Sequence, residues 1–322
     1  MPLVDMPVEQ LLEYKGRNPR PASFDSFWDE SLKQLERVPP NVELVPHPIA
    51  APFAECFDLW FDAVDGARQY ARFLRPKNHE TPVPCVLEFH GYSGNSGDWM
   101  SKLPYVARGQ AVAALDCRGQ GGKSEDASRV KGNTHNGHII RGLQDALEGH
   151  PEHLYYRQMF LDTAQLARAV AQLSEIDGNR LGARGGSQGG GLTLACSALA
   201  AIKKAVAEFP FLCDYQRVWE MDLASGAYAE LKTWLRFYDP HHQREEEIWN
   251  ALGYIDVQHL APRIQADVLM AVGLMDTICP PSTQFAAFNK IESSKRAVYY
   301  PDFGHEGLPG FGDIAYEFLA DL

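Results

Sequence analysis

The sequence predicts an α/β protein with a mostly parallel, doubly wound sheet, antiparallel strands at its start and a helical insertion late in the chain. Three observations predict it: β-rich segments around an Asp65-Gly66 turn, a change from Pro84 onward to short apolar strands alternating with helical stretches, and a glycine-rich stretch, GGSQGGG at 185–191, set between a strand and a helix. At 322 residues the chain suits one large domain over 1–322, with an N-terminal extension over about 1–40 and the insertion over about 213–262.

The opening segments VELVPHP, ECFDLWFDAV and RQYARFLRP carry alternation or β-rich composition, and Asp65-Gly66 is a hairpin turn between the last two. CVLEFHG, MSKLPYVARG and AVAALDC then read as strand, helix and strand of a parallel sheet. In YRQMFLDTAQLARAVAQLSEI, Met159, Phe160, Thr163, Leu166, Ala167, Val170, Leu173 and Ile176 recur at three- and four-residue intervals, which makes it a crossover helix ended by Asp177-Gly178-Asn179. NRLGAR is the short segment before the glycines, and LTLACSALAAI after them is a buried helix. From Cys213 to Pro262, VWEMDLASGAYAELKTWLRFY and EEEIWNALGYI form a helical insertion at the carboxyl end of the sheet, where lids arise; most of its aromatic residues serve its own packing.

A formal net charge of -12 argues against nucleic acid and anionic membrane as partners and leaves a small, neutral substrate. MPLVDMPVEQ lacks the basic start and apolar stretch of a secretory signal, and no apolar run reaches membrane-spanning length, so a cytoplasmic location is expected. The six cysteines are scattered singly without a CxxC pair and read as buried free thiols.

The glycine-rich stretch is no interdomain linker, because it joins two elements of one core. It also lacks the GxxxxGK[ST] and GxGxxG spacings of phosphate loops, and no lysine adjoins the serine. Gly185, Gly186, Ser187, Gln188 and Gly189 instead meet the G-x-S-x-G pattern, in which side-chain-free neighbours give a strained strand-to-helix turn its clearance. The bland alternative is a turn whose serine caps the helix.

A serine needs a histidine base and an orienting acid, which follow it in that fold in the order Ser, acid, His. ADVLMAVGLMDTICPP delivers Asp276 at the carboxyl end of an apolar strand, and KRAVYYPDFGHEG carries His305 in the loop after another. His241 and His242 lie in a polar stretch, His259 has apolar neighbours that suit a structural role, Asp267 precedes its strand, Asp302 is too near His305, and Asp239 and Asp256 lie in the insertion. The H-x-x-H pairs His135/His138 and His150/His153 hint at metal, yet a glycine or a proline interrupts them and neither has the HExxH glutamate, so no metal site is expected. In FHGYSGNSGDW, Gly91 lets the chain turn towards the nucleophile, so the N–H groups of Tyr92 and Gln188 are the expected oxyanion donors.

Arg118-Gly119-Gln120, Gly185-Gly186-Ser187-Gln188-Gly189 and His305-Glu306, together with FDSFW, EFPFLCD, LAPRI, VGLMDTICPPST and YPDFGHEG, resemble carbohydrate esterase family 7, whose members include acetyl xylan esterases and cephalosporin C deacetylases. The resemblance covers nearly the whole chain. It implies an α/β-hydrolase fold, Ser187 as nucleophile, His305 as base, Asp276 as orienting acid and the Tyr92 and Gln188 amides as oxyanion hole. It also implies no cofactor, a cytoplasmic homo-hexamer, and a small acetylated substrate such as an acetylated xylo-oligosaccharide or cephalosporin C. Arg118 is expected to bond backbone or carboxylates around the site, with Gly119, Gln120, Gly185, Gly189 and Glu306 as motif and structural support. Arg184 departs from the small or apolar residue of the pattern and calls for an acid partner, and the polar stretch from Lys123 to His153 departs around the mouth. A peptidase or thioesterase on the same fold, or a noncatalytic hydrolase-like binding protein, are the competing expectations.

Overall fold

The structure is a computed structural model that describes residues 4–131 and 137–322. Its centre is a nine-stranded sheet in the order β1-β2-β3-β5-β4-β6-β7-β8-β9. The strands are β1 (Glu43–Pro46), β2 (Ala54–Asp62), β3 (Arg68–Pro76), β4 (Val83–Phe89), β5 (Ala111–Leu115), β6 (Ile176–Gly186), β7 (Lys204–Glu208), β8 (Asp267–Gly273) and β9 (Lys295–Tyr300). The first three pair antiparallel, β3 joins β5 antiparallel, and every later pairing is parallel. Asp65, at φ 62°, makes the turn between β2 and β3 as the Asp-Gly pair requires. The parallel strands β4 and β5 are almost wholly buried, which explains why they read as continuous apolar runs rather than alternating ones.

The chain runs from β4 to β5 on one side, then returns through the helix Tyr155–Ala171 to β6 on the other side of β4. This reversal opens a crevice beyond the carboxyl ends of β4 and β6, where ligands of such sheets bind. The crossover helix buries almost its whole surface, because the helix Phe24–Glu36 lies over its outer side, with Trp28 stacked on Phe160 at 5.9 Å. Residues near the start of the chain thereby complete the core.

One boundary differs from expectation. The crossover helix stops at Ala171, and Asp177-Gly178-Asn179 lies inside β6 rather than ending the helix. Ile176 pairs with Val83, and the register then shifts so that Leu181 faces Cys85, leaving the intervening residues in an irregular bulge. Turn-forming residues are tolerated there because the bulge frees them from the ladder.

The stretch between β7 and β8 is helical as expected, with helices Tyr215–Glu220, Ala229–Tyr238, Glu245–Leu252 and Val257–Leu260. Tyr228, Trp234 and Trp249 point into the main core, so packing uses most of its aromatic rings. All six cysteines are buried and free. Among the described residues no helix is long and apolar enough to cross a membrane.

Candidate active site

Ser187 sits at the junction of β6 and the helix Gln188–Leu199 with φ 57° and ψ -120°, a region that non-glycine residues rarely occupy. Its backbone is fixed from both sides: the N–H donates to Glu208 O at 3.0 Å, and the carbonyl accepts from Phe211 N at 2.9 Å and Gly191 N at 3.1 Å. The motif glycines are required by backbone, not by flexible side chains. A Cβ on Gly189 would lie 2.0 Å from Phe89 O, and one on Gly185 would lie 2.6 Å from the same oxygen. The turn therefore seats directly on the end of β4.

Asp276 follows β8 and is wholly buried. Its Oδ1 accepts from the Ile278 and Cys279 amides, each at 2.8 Å, which locks the carboxylate in one orientation. Its Oδ2 lies 2.8 Å from His305 Nδ1, and His305 Nε2 lies 3.0 Å from Ser187 Oγ. The ring of Phe209 packs on the imidazole with centroids 4.6 Å apart. A carboxylate at Nδ1 places the proton there and leaves the Nε2 lone pair facing the serine hydroxyl. The structure thus brings Ser187, His305 and Asp276 into one hydrogen-bonded line.

Among the described residues, neither the Tyr92 nor the Gln188 N–H meets a hydrogen-bond acceptor. Both lie at the crevice, Tyr92 in the loop following β4 and Gln188 at the first residue of the helix after the serine, positions from which an N–H can reach a developing negative charge. Gln120 joins the two: its Oε1 accepts from Ser93 N at 2.8 Å, and its side-chain amide pairs reciprocally with that of Gln188 at 2.9 and 3.0 Å. Tyr156 completes the Gln188 amide by donating to its Oε1 at 2.8 Å. His90 shapes the loop from below, accepting from Cys117 N at 2.9 Å through Nε2, which leaves Nδ1–H to donate to Gly91 O at 2.7 Å. Burial lowers the pKa of this imidazole and keeps it neutral.

Arg118 is wholly buried and makes two 2.6 Å bonds to Asp162, a bidentate pair that anchors the segment carrying Gly119 and Gln120 to the crossover helix. Arg184 finds the acid its position calls for: it lies 3.6 Å from Glu208 and donates to Tyr105 Oη at 2.6 Å. Glu306 accepts from Gly304 N at 3.1 Å, bracing the loop of His305.

The rival histidines are engaged elsewhere. His259 is buried with Nε2 3.1 Å from Pro19 O, and burial, aided by Lys290, lowers it to about 3. His242 pairs with Glu245 at 2.6 Å. His150 and His153 stack on each other and face Glu152 and Asp145, respectively. His138 lies between the rings of Tyr92 and Tyr155, while its proposed partner His135 lies outside the described residues. Among the described residues, Asp276, Cys279 and His305 of the site itself present ligand atoms within 4.8 Å of one another. Burial pushes the Cys279 thiol well above its usual range, and a protonated thiol is a poor ligand.

Sequence reasoning missed Asp162, Phe209, Cys279 and Glu230. Only Asp162 left a signal, as an acid on the otherwise apolar stripe of the crossover helix.

The family model for acetyl xylan esterase (AXE1) matches residues 1–322. Acetyl xylan esterase 1 from Thermoanaerobacterium sp. JW/SL YS485 is 52% identical and superposes with a TM-score of 0.95, over 98% of this chain and 99% of that one. The acetyl xylan esterase from Paenibacillus sp. R4 is 36% identical with a TM-score of 0.93, over 98% and 99% of the two chains. Acetyl esterase Axe7A of Xylanibacter ruminicola is 24% identical over 301 residues; the match takes in 91% of this chain and spans 64% of that relative's length. The mixed sheet, the strand-turn-helix elbow and these superpositions make this an α/β-hydrolase fold, and the chain belongs to the acetyl xylan esterase (AXE1) family.

Proposed function

We propose that the protein is a serine esterase that hydrolyses short-chain, chiefly acetyl, esters of small carbohydrates and related alcohols. The observation that carries the reading is the line from the buried Asp276 carboxylate through His305 to Ser187 Oγ, with steps of 2.8 and 3.0 Å. Ser187 attacks the ester carbonyl while His305 Nε2 takes its proton, and the imidazolium that forms is stabilised by Asp276. The developing oxyanion is held by the Tyr92 and Gln188 amides, each worth about 10² to 10³ in kcat. His305 then protonates the departing alcohol, and water, activated by the same nitrogen, releases the acyl group from Ser187.

Family membership supports acetylated carbohydrates as the substrate class. Acetylated xylo-oligosaccharides, cephalosporin C and a homo-hexamer complete the proposal and rest on the sequence resemblance, while one domain over 1–322 rests on chain length and a cytoplasmic location on the N-terminal segment and the resemblance together. Ser187→Ala is expected to abolish turnover of a chromogenic acetate while the protein stays folded, and a fluorophosphonate is expected to label Ser187 in the parent. Undiminished turnover by the alanine variant refutes the assignment. Rates on acetyl, butyryl and octanoyl esters, aminoacyl amides, acetylated xylo-oligosaccharides, acetylated monosaccharides and cephalosporin C define the acyl limit and the leaving group.

A further inference from the structure

From the contacts around the loop after β4, we infer that Glu230, in the helical insertion, is a positioning residue for the oxyanion hole, holding Tyr92 in place through its phenol while tying the insertion to the mouth of the site. The inference rests on the esterase reading above and deepens it.

Glu230 belongs to the helix Ala229–Tyr238 and is 8% exposed. Its two oxygens are divided between two pieces of chain. Oε1 accepts the Tyr92 hydroxyl, while Oε2 accepts from three successive amides, His138 N at 2.8 Å, Ile139 N at 2.7 Å and Ile140 N at 3.2 Å. A buried carboxylate requires this degree of satisfaction, and four donors converging on one side chain leave it a single orientation. The carboxylate thus joins three segments distant in sequence: the loop that carries Tyr92, the 138–140 segment and the insertion.

Tyr92 is therefore held at two points. On the backbone side, the next residue, Ser93, donates its N–H to Gln120 at 2.8 Å. On the side-chain side, the ring lies against His138 at 4.8 Å and Phe211 at 6.0 Å, with its hydroxyl on Glu230. The peptide N–H of Tyr92 lies between these anchors. Releasing the phenol leaves one anchor and lets the N–H swing away from the position it must hold when the oxyanion forms, and errors of about 1 Å in such placement cost on the order of 10²-fold. Substrate binding does not depend on this donor to the same degree, because the carbonyl oxygen is charged only in the transition state.

Tyr92→Phe removes the hydroxyl and keeps both ring and N–H. It is expected to lower kcat for a chromogenic acetate by about 10- to 100-fold with KM unchanged, and to lower the thermal midpoint as well, because one oxygen of the buried Glu230 loses the hydroxyl it accepted. In Glu230→Gln the three amides retain the side-chain oxygen, so an NH2 group faces Tyr92 in place of a carboxylate oxygen. Its kcat loss is expected to be smaller, and the double variant Tyr92→Phe/Glu230→Gln is expected to match Tyr92→Phe alone, because one contact is being removed twice. A Tyr92→Phe enzyme with parental kcat overturns the inference, as do losses that multiply in the double variant. Ser187→Ala assayed alongside separates the two levels: if it keeps parental turnover the esterase reading itself falls, whereas if it is inactive the Tyr92 and Glu230 results judge the positioning role alone.

Discussion

Replacing Asp276 with asparagine tests the orientation of His305 while keeping the size and shape of the side chain. The two oxygens of Asp276 have different duties: Oδ1 accepts from the Ile278 and Cys279 amides at 2.8 Å each, and Oδ2 faces His305 Nδ1 at 2.8 Å. An asparagine keeps its carbonyl oxygen on the two amides, since the opposite orientation would set donor against donor twice. Its NH2 then faces Nδ1, which becomes an acceptor, so the imidazole proton moves to Nε2 and points at Ser187 Oγ, 3.0 Å away. The base loses the lone pair that must take the serine proton. A wrong tautomer of this kind costs about 10⁴ in kcat, or roughly 5 kcal/mol of transition-state stabilisation. Thermal stability is expected to stay close to the parent's, because both amide bonds survive. Asp276→Ala, by contrast, strips both amides of their acceptor, at roughly 1–3 kcal/mol for each buried donor. Initial rates of acetate release together with thermal unfolding of the two variants read the separation. An Asp276→Asn enzyme that stays folded and turns over at nearly the parental rate refutes the tautomer argument.

Two further predictions concern the scaffold. Gly189→Ala places a Cβ 2.0 Å from Phe89 O, and because the atom it meets is backbone the elbow itself must shift. The expected cost is about 3 kcal/mol in urea unfolding, with kcat reduced by on the order of 10²-fold; parental stability would show that the elbow does not sit on β4 as described. Burial holds His259 at about 3 and His138 at about 4, both below the ordinary 6.5, so between these limits the folded chain binds fewer protons than the unfolded one. Stability therefore falls as pH drops through 6.5, by about 1.4 kcal/mol per pH unit for each buried imidazole. His259→Gln is expected to flatten that slope in urea unfolding at pH 7 and 5, and an unchanged slope would count against the neutral, buried state of His259.

That Ser187, Asp276 and His305 meet in one hydrogen-bonded line was legible because each has a local signature that survives without tertiary knowledge. Ser187 has glycine clearance in a strand-turn-helix setting, Asp276 ends an apolar strand, and His305 follows the next one. Supporting residues were less legible. The side chain of Gln188 was overlooked in favour of its amide, yet it pairs with Gln120 and Tyr156. Glu230 is one acid among many in the insertion, and nothing in its neighbours marks it as the acceptor of four donors. The end of the crossover helix was misplaced because Asp177-Gly178-Asn179 is good turn chemistry, whereas the need of β4 for a partner drew that stretch into a bulged strand.

By itself the order of residues determined the alternation of strands and helices, the antiparallel start, the elbow and the candidacy of Ser187, Asp276 and His305. All of these follow from short-range sterics and hydrophobic period, which act within a few residues. Only the tertiary structure decided the 3.0 Å approach of His305 to Ser187, the burial of Arg118 against Asp162 and the four-way satisfaction of Glu230. Those are properties of residues distant in sequence that meet where several loops converge on one crevice, and the pairing demands of buried polar groups choose among the many partners that composition allows.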